Sequence, residues 1–360
     1  MATCRRSPAK GGTALEWVEG ETVLSRLVVE DLCLRIGPIA VRCGGIANVS
    51  TPREYRMKGY ARQLLSESIA FMHAEGYLIS ALFGIPNFYQ KFGFASALMD
   101  CETTIATRDA ETATARYPVR PFQPEDARAL VTLYERRNGQ RSGSVLRNPE
   151  TWREFRRGSQ WTDRVGAFVV LDGQEIIGYA SYNLDPWRYA IGEVGYADGR
   201  AFSTLLAHMA QQAIERRVEH IIVHAPPDDP FLQYCRRYGC EIKLIYRRQA
   251  GGMARIIRQT ELLEAVQPLL AARLRAAGQE GALGTLVCKT DLGEDAIVFG
   301  GGPSYTLELP QWMLLQLLLG YRPAEDVLFE TEARADEALQ PLLPVLFPQG
   351  YPYIAMSDRF

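Results

Sequence analysis

The sequence predicts an α/β fold with mixed sheets, and three observations support this fold class. Strand-like runs, a glycine-containing turn, a helix, a strand and a short helix follow one another between residues 22 and 94. This order is typical of layers in which a helix crosses over between strands. A similar order recurs from residue 117 onward. Hydrophobic residues make up 47% of the chain and charged residues 23%, a balance that supplies enough apolar surface for buried cores.

The length of 360 residues predicts two or three domains. The predicted domains span residues 1–110, 111–250 and 251–360. The polar, Ala- and Thr-rich segment Thr107–Arg116 is interpreted as a linker, and Gly251-Gly252 marks the next boundary. Residues 1–20 are expected to form a poorly ordered polar leader.

Charge and cysteine patterns exclude several function classes. The formal net charge is −2 and basic residues are spread along the chain, so neither a nucleic-acid nor a membrane partner is expected. The longest apolar run, Trp312–Leu319, is too short to span a bilayer, and no apolar segment follows the basic start to make a secretory signal. The seven cysteines and four histidines show no metal-ligand spacing. A cytoplasmic protein without a metal or a disulfide framework is expected.

The elements of the first part of the chain follow from changes of hydrophobic period. Two β-rich runs flank the turn Gly37-Pro38, one from Thr22 to Ile36 and one over Ile39–Cys43 and then Ile46–Thr51, and they are predicted to be neighbouring antiparallel strands. Apolar residues then recur at helical spacing before a short buried run appears. The elements predicted there are a helix over Met57–His73, a strand over Tyr77–Phe83 and a brief helix over Pro86–Lys91.

A weak internal repeat indicates a duplicated domain. Phe88–Gly93 and Tyr234–Gly239 occupy equivalent points, just after the strand that follows a long helix. After Met253 we expect an amphipathic helix, a hairpin-rich region and the apolar helix Gln311–Leu319. The elements predicted in the second copy are a helix from Gln123 to about Arg137, strands at Ala167–Leu171 and Ile176–Tyr182, a strand ending near Val194, a helix over Ala201–Arg216, a strand over His220–His224 and a short helix over Pro230–Arg237.

The segment from Val49 to Arg62 carries the candidate cofactor site. A strand ends, a short loop turns, and a helix begins at Gly59. Backbone N–H groups at such a helix start lack partners and lie at the positive end of the helix dipole, which favours a pyrophosphate. An ordinary helix start with a small packing residue is the alternative; a P-loop is excluded, because no Gly-Lys-Ser/Thr follows. The candidate cofactor-binding residues are Val49, Ser50, Thr51, Arg56, Met57, Lys58, Gly59, Tyr60, Ala61 and Arg62, with Gly84 and Ile85 further along the chain.

The pattern Arg-x-x-Gly-x-Ala, formed by Arg56, Gly59 and Ala61, resembles the acetyl-CoA loop of the GCN5-related N-acetyltransferase superfamily. The resemblance implies acetyl-CoA as co-substrate and transfer of its acetyl group to a primary amine by direct attack in a ternary complex. In this superfamily the pattern Tyr-x-x-Phe/Tyr-Gly-Phe, here Tyr89–Phe94, lies beside the thioester sulfur. Tyr89 is then implied as the general acid that protonates the departing CoA thiolate. A ring that packs under the cofactor with no proton role is the alternative.

The arrangement of the whole chain resembles the enhanced-intracellular-survival type of acetyltransferase: tandem acetyltransferase folds followed by an α/β domain similar to sterol carrier proteins. In that family the C-terminal carboxylate acts as general base on the amine, and by position this role falls to Phe360. A terminus that is merely packed in an interface is the alternative. The resemblance also implies a homo-oligomer.

Two departures set the second copy apart. It lacks Arg-x-x-Gly-x-Ala, since Val194–Arg200 runs straight into the next helix, and Cys235 stands where Tyr89 stands in the first copy. We therefore expect that the second domain does not bind acetyl-CoA productively. The first domain has no room for the strand and two helices that usually come before the strands found from Thr22. Either the start is assigned too late, or this branch has dispensed with them.

Two function classes stay open at this point. One is an N-acetyltransferase, whose acceptor is a primary amine of a small molecule or of a lysine. The other is a non-catalytic CoA- or lipid-binding protein on the same scaffold. The residues alone do not choose between the acceptors, because several domains contribute to the pocket wall.

Overall fold

The computed structural model describes residues 2–152, 154–155, 158–162, 164–185 and 187–360. They form two compact units. Unit 1 comprises the chain up to Leu98, Arg247–Pro352 and Phe360, and unit 2 comprises Met99–Tyr246 and Tyr353–Arg359. In these ranges no helix is both long enough and apolar enough to cross a bilayer. Nor do they contain a group of three or more His, Cys, Asp or Glu side chains placed to hold a metal ion.

Strands and helices are numbered in chain order. The strands are β1 (Thr3–Ala9), β2 (Gly12–Glu19), β3 (Thr22–Ile36), β4 (Ile39–Ser50), β5 (Ile79–Gly84), β6 (Ala95–Ser96), β7 (Asp100–Ala106), β8 (Val119–Pro121), β9 (Val165–Asp172), β10 (Glu175–Asn183), β11 (Tyr189–Tyr196), β12 (His220–Val223), β13 (Glu241–Ile245), β14 (Gly251–Ile256), β15 (Thr285–Thr290), β16 (Gly293–Val298), β17 (Ser304–Glu308) and β18 (Arg334–Ala335). The helices are α1 (Tyr60–Ala74), α2 (Thr107–Ala110), α3 (Ala127–Asn138), α4 (Phe202–Glu215), α5 (Pro230–Cys235), α6 (Gln259–Ala276), α7 (Gln311–Leu319), α8 (Ala324–Leu328) and α9 (Leu343–Leu346).

The first sheet of unit 1 has the strand order β1-β2-β3-β4-β5-β14-β6. Its neighbours are antiparallel except β4 and β5, which run parallel. The predicted hairpin is present as β3 and β4, paired from Ile36↔Ile39 to Arg26↔Ser50. Helix α1 crosses over from β4 to β5 and buries Leu64, Leu65 and Met72 against one face of the sheet. The mixed α/β fold class predicted from the sequence is confirmed.

Residues 2–20 do not form the poorly ordered leader that the sequence predicted. β1 and β2 form a hairpin, and β2 pairs along β3. Leu15 is fully buried, and Arg5 donates two hydrogen bonds to Glu16 across the hairpin at 2.7 and 3.1 Å. The outer edge of β3 offers a row of unpaired backbone groups. A polar segment with a few inward-facing apolar residues satisfies them as strands.

The sheet of unit 2 has the order β13-β7-β12-β11-β10-β9-β8. It repeats the arrangement of the first sheet, since only β11 and β12 pair in parallel. Helix α4 buries Leu205, Leu206 and Met209 against it. Equal strand order and equal helix placement agree with the duplication that the repeat indicated.

Strand pairing does not follow the predicted limits at residues 110 and 250. β7 lies before the first limit yet belongs to the sheet of unit 2, and β14 lies after the second limit yet belongs to the first sheet of unit 1. The segment interpreted as a linker begins with α2, and Thr107 Oγ1 donates to the Val218 carbonyl at 2.8 Å. In each sheet the strand that is second from one edge therefore comes from beyond the limit drawn for it, while the division into three domains stays a prediction.

The remainder of unit 1 carries a small sheet of order β16-β15-β17-β18 with α6 and α7. Residues Met313–Leu319 of α7 are all buried, so this apolar helix is part of the core. Gln311 at its start accepts a hydrogen bond from the Ile256 N–H at 2.8 Å and donates to the Gly93 carbonyl at 2.6 Å. These bonds connect α7 to β14 and to the turn at Gly93. The likeness of this region to sterol carrier proteins stays a prediction.

Candidate active site

The candidate site begins with a split between two parallel strands of unit 1. β4 and β5 pair from Cys43↔Ile79 to Ile46↔Leu82. Beyond these pairs β4 continues to Ser50 and β5 to Gly84, and residues 47–50 form no further pair with residues 83–84. An extended ligand in such a split finds backbone donors and acceptors, since every non-proline residue carries one of each.

Hydrogen bonds from β3 and from within the loop itself fix the loop between β4 and α1. Ser25 is fully buried; its Oγ donates to the Ser50 carbonyl at 3.1 Å and lies 3.0 Å from Thr51 Oγ1. Arg56 Nε donates to the Thr51 carbonyl at 3.0 Å. Arg56 therefore shapes the loop as well as bringing positive charge to it.

Helix α1 begins with unpaired backbone donors. Its N-cap residue is Gly59, with φ 84° and ψ 1°. The Gln63 N–H donates to the Gly59 carbonyl at 3.1 Å, so the N–H groups of Tyr60, Ala61 and Arg62 before it have no helical acceptor. No side chain in the described part of the chain caps this end, and the first turn holds no acidic residue. The start of this 15-residue helix is thus open to an anion at the positive end of its dipole.

Positive charge and free space surround the helix start. Lys58 and Arg62 are exposed on either side of Gly59, and Lys58 Nζ lies 5.5 Å from the centre of the Tyr55 ring. Met57 has a φ of 63° and a fully exposed side chain, so it turns the loop without contributing to the core. A Cβ placed on Gly59 meets no atom within 4 Å. The side of Gly59 on which a side chain would stand is therefore open.

Tyr89 lies beyond the end of β5, at the start of a short 3-10 helix, Tyr89–Phe92. Its ring packs edge-on against Phe88 and Phe94, with centroid distances of 5.0 and 6.4 Å. A Cβ at Gly84 would lie 2.7 Å from Tyr89 Cδ2, so glycine permits this close approach to β5. Tyr89 is 8% exposed, and burial raises the pKa of its hydroxyl, which keeps it protonated at neutral pH. Ile85, by contrast, is 65% exposed.

The side chain of Phe360 lies on the sheet next to the split. It is 5% exposed, and its ring makes an edge contact with Phe83 of β5 at a centroid distance of 5.7 Å. On the β4 side, a Cβ at Gly45 would lie 2.9 Å from a carbon of the Phe360 ring and 2.8 Å from Leu32. Phe360 thus sits on both strands where they begin to part.

Tyr89 and Phe360 are on opposite faces of the sheet. Side chains alternate between faces along a strand, so Phe83 and Gly84 point to opposite sides. Phe360 packs on the Phe83 side, and Tyr89 packs on the Gly84 side. A group held in the split has one of these two residues on each side.

Sequence reasoning missed the seat of Phe360. Gly44 and Gly45 are adjacent in β4, and each serves one face of the sheet. A Cβ at Gly44 would lie 2.2 Å from Met72 Sδ of α1, whereas one at Gly45 would strike Phe360. In the sequence these glycines separate two predicted strand-like runs, whereas β4 continues through both of them. Glycines inside a strand indicate that another group approaches the backbone closely. The other predicted residues occupy one loop and helix start from Val49 to Arg62, with Gly84 and Ile85 across the split.

The corresponding place in unit 2 is built differently. β11 and β12 pair from Tyr189↔Ile221 to Ile191↔Val223, and β11 runs on to Tyr196. The helical segment that follows is capped by Asp198, whose carboxylate accepts from the Arg200 N–H at 2.9 Å. Hydrogen bonds from Arg200 lower the pKa of Asp198, so a negative charge occupies the helix start that is open in unit 1. Cys235, at the counterpart of Tyr89, is fully buried.

Comparisons with known proteins agree with this repeated architecture. Residues 4–97 match a family model described as an acetyltransferase (GNAT) domain, and residues 143–256 match a second model of the same description. None of the curated proteins matches the chain significantly in sequence.

Several solved structures are similar over nearly the full length. A GCN5-related N-acetyltransferase from Anabaena variabilis has 19% identity and a TM-score of 0.73, with 96% of this chain and 89% of that chain covered. One from Kribbella flavida has 18% identity and a TM-score of 0.69, with 96% and 88% covered. Eis1 from Mycobacterium abscessus has 17% identity and a TM-score of 0.67, with 98% and 93% covered. At these identities the similarity establishes the fold.

Proposed function

Because residues 4–97 and 143–256 each match a model of an acetyltransferase (GNAT) domain, we propose that this chain is an acetyl-CoA-dependent N-acetyltransferase with its active site at the split between β4 and β5. The observation that carries the proposal is the open start of α1 at Gly59, which follows directly after the split strand. An uncapped helix start with neighbouring cations suits a pyrophosphate. A split between strands suits an extended amide-containing arm. Acetyl-CoA has these two parts joined in this order.

Each part of the cofactor has matching groups in this loop. The N–H groups of Tyr60, Ala61 and Arg62 donate to the pyrophosphate oxygens, and the side chains of Lys58 and Arg62 add charge-assisted contacts. The amide groups of the pantetheine arm pair with the backbone of Val49–Thr51. Gly84 and Ile85 form the opposite wall of the split, where the exposed side chain of Ile85 is available to the arm.

The two faces of the sheet divide the chemistry. The amine approaches the thioester carbonyl from the Phe360 face, and the terminal carboxylate, ionised because an α-carboxyl has a pKa of about 3.5, accepts the proton that the amine loses. As the N–C bond forms, backbone N–H groups of Val49–Thr51 stabilise the carbonyl oxygen. The C–S bond then breaks, and the hydroxyl of Tyr89 gives its proton to the CoA thiolate. Tyr89 then regains a proton from solvent, and the terminal carboxyl group releases to solvent the proton that it took from the amine.

The proposal includes the finer points that the resemblance implied. The acceptor is a primary amine of a small molecule or of a lysine, the protein is cytoplasmic, and it assembles as a homo-oligomer. Holding amine and thioester together in the split supplies the main part of the acceleration, because a bimolecular reaction becomes effectively unimolecular.

Substituting Tyr89→Phe tests the proposal against the rival class, a non-catalytic CoA- or lipid-binding protein. Only the hydroxyl is removed, and the ring contacts with Phe88 and Phe94 remain. Loss of a general acid lowers turnover by about 100-fold or more, while acetyl-CoA affinity measured by calorimetry should stay within about twofold. Tyr77→Phe is the matched control, because Tyr77 is a buried tyrosine of the same unit that contacts Phe71 at 6.4 Å.

Two results contradict the proposal. Equal turnover of the Tyr89→Phe and Tyr77→Phe chains would exclude Tyr89 as the acid. Acetyl-CoA binding without turnover by the unaltered chain, for every amine tried, would favour the binding-protein class.

A further inference from the structure

The split of unit 2 is filled by the chain itself. Beyond the last β11–β12 pair, the Tyr353 hydroxyl donates to the His224 carbonyl at 2.9 Å, at the end of β12. On the β11 side, a Cβ at Gly192 would lie 3.5 Å from Met356 Cβ. The Tyr353 N–H also donates to the Ser142 carbonyl at 3.0 Å. The segment Tyr353–Arg359, called the C-terminal segment below, therefore contacts both strands that border the split.

A buried ionic cluster joins this segment to β11. Arg147 donates to Glu193 of β11 at 2.8 and 2.6 Å and to Asp358 of the segment at 3.1 and 2.8 Å. Ser357 donates to the same Glu193 carboxylate. Arg147, Glu193, Ser357 and Asp358 are all more than nine-tenths buried. The Arg147 guanidinium thus links the Glu193 carboxylate of β11 to the Asp358 carboxylate of the C-terminal segment.

Arg147 and Glu193 also have contacts that do not involve the C-terminal segment. The Tyr179 hydroxyl donates to Glu193 at 2.6 Å. The Arg147 guanidinium carbon lies 3.5 Å from the centre of the Tyr134 ring and 4.8 Å from that of Trp152. These contacts hold Arg147 and Glu193 in place, so the position that Asp358 fills is preformed. An arginine fork recognises a planar carboxylate by two parallel hydrogen bonds, which makes Asp358 the residue that the site selects.

Little space is left in this split. The cavity lined by Gly192, His224 and Tyr353 measures about 20 Å³, room for about one water molecule. A pantetheine arm and the C-terminal segment exclude each other there. In unit 2 the C-terminal segment thus occupies the split, and the Asp198 carboxylate caps the helix start. The corresponding places in unit 1 are where the cofactor is expected to bind.

We propose that the split of unit 2 is a peptide-binding site whose ligand is the chain's own C-terminal segment, selected through Asp358 by Arg147 and Glu193. In the sequence Asp358 stands two residues before Phe360. Holding the segment at Asp358 therefore limits the positions available to the terminal carboxylate. Arg147 and Glu193 are positioning residues in this scheme and take no part in proton transfer.

The site is tested in trans with a chain that ends at Pro352 and a synthetic peptide of residues 353–360. We expect saturable binding of the peptide by fluorescence anisotropy. A peptide carrying Asp358→Ala should bind about 10- to 150-fold more weakly, the loss for a hydrogen-bonded charged group. A scrambled peptide of the same composition is the control. No binding of the native peptide to a folded chain, or equal binding of the Asp358→Ala peptide, would overturn the proposal.

A second measurement does not depend on the shortened chain folding. In the full chain, Asp358→Ala should speed amide hydrogen exchange of residues 353–359 by a similar 10- to 150-fold. Exchange of α1, in unit 1, should not change. Asp358→Glu, which keeps the carboxylate, should restore part of the protection. Unaltered exchange of the C-terminal segment in the Asp358→Ala chain would show that the cluster does not hold it.

Discussion

Replacing Gly59 with aspartate or with asparagine separates the charge of the proposed pyrophosphate site from its shape. Gly59 has a left-handed backbone, and a Cβ there meets nothing within 4 Å. Asn and Asp are the residues that best tolerate this conformation, and both cap a helix start. The two variants should therefore have unfolding free energies within about 1 kcal/mol of each other.

The two variants should differ strongly in acetyl-CoA binding. Two unit charges about 6 Å apart at an effective dielectric constant of about 40 interact by about 1.4 kcal/mol. Each phosphate of the pyrophosphate carries one negative charge, so Gly59→Asp costs about 3 kcal/mol relative to Gly59→Asn. This corresponds to a Kd about 100-fold higher for the aspartate variant. In unit 2 a carboxylate, that of Asp198, already caps the 3-10 helix that leads into α4.

Calorimetric titration with acetyl-CoA, at low and at high salt, measures this difference. Raising the ionic strength should reduce the gap between the variants, because exposed charges are screened over about 10 Å at 0.1 M salt. Thermal unfolding of both proteins confirms that the fold is kept. Equal acetyl-CoA affinities for the aspartate and asparagine variants would refute a pyrophosphate at the start of α1.

Two further predictions concern the seat of Phe360 and the pH dependence of unit 2. Gly45→Ala should displace the Phe360 ring and lower turnover at least about tenfold, whereas Gly44→Ala overpacks against α1 and should lower the unfolding free energy by about 1–3 kcal/mol. Turnover and calorimetric stability are measured for both variants. Equal loss of turnover in the two variants would contradict a specific role for the contact between Gly45 and Phe360. Burial lowers the pKa of His224 to about 4, although Glu102 acts in the opposite direction, so the unfolded chain binds a proton that the folded chain does not. The unfolding free energy should therefore fall by about 3 kcal/mol as the pH drops from about 6.5 to about 4. Denaturant titrations at several pH values should show a smaller fall for His224→Gln than for the exposed control His220→Gln. An equal dependence of unfolding free energy on pH in the two variants would show that His224 is not responsible.

Local signals in the sequence predicted the elements around the site. The change to helical spacing after residue 56, together with Gly59, predicted where α1 starts, because a helix start depends on a few adjacent residues. The repeat of Phe88–Gly93 at Tyr234–Gly239 indicated two copies, and both copies have the same strand order. The residues expected to bind the cofactor lie in one continuous stretch, Val49–Arg62.

Pairings between distant segments were not visible in the sequence. Nothing local in Gly251–Ile256 shows that this strand pairs with β5, since strand partners are chosen by the whole sheet. The polar segment Gly12–Glu19 forms a strand because β3 offers it an edge, and Thr3–Ala9 then pairs with that strand. Likewise, Arg147 and Asp358 are 211 residues apart, and only folding brings their charges together. The contact between Gly45 and Phe360 was not predicted either.

The central claim is that the intact chain transfers an acetyl group from acetyl-CoA to an amine with the terminal carboxylate as base. Thiol release from acetyl-CoA, measured against a panel of amines with the intact chain and with a chain ending at Arg359, tests it most directly. The account predicts amine-dependent release by the intact chain and a loss of about 100-fold or more on removal of Phe360, the range for a general base. Release that survives the removal unchanged would contradict the role of the carboxylate, and no release with any amine would contradict the transferase itself.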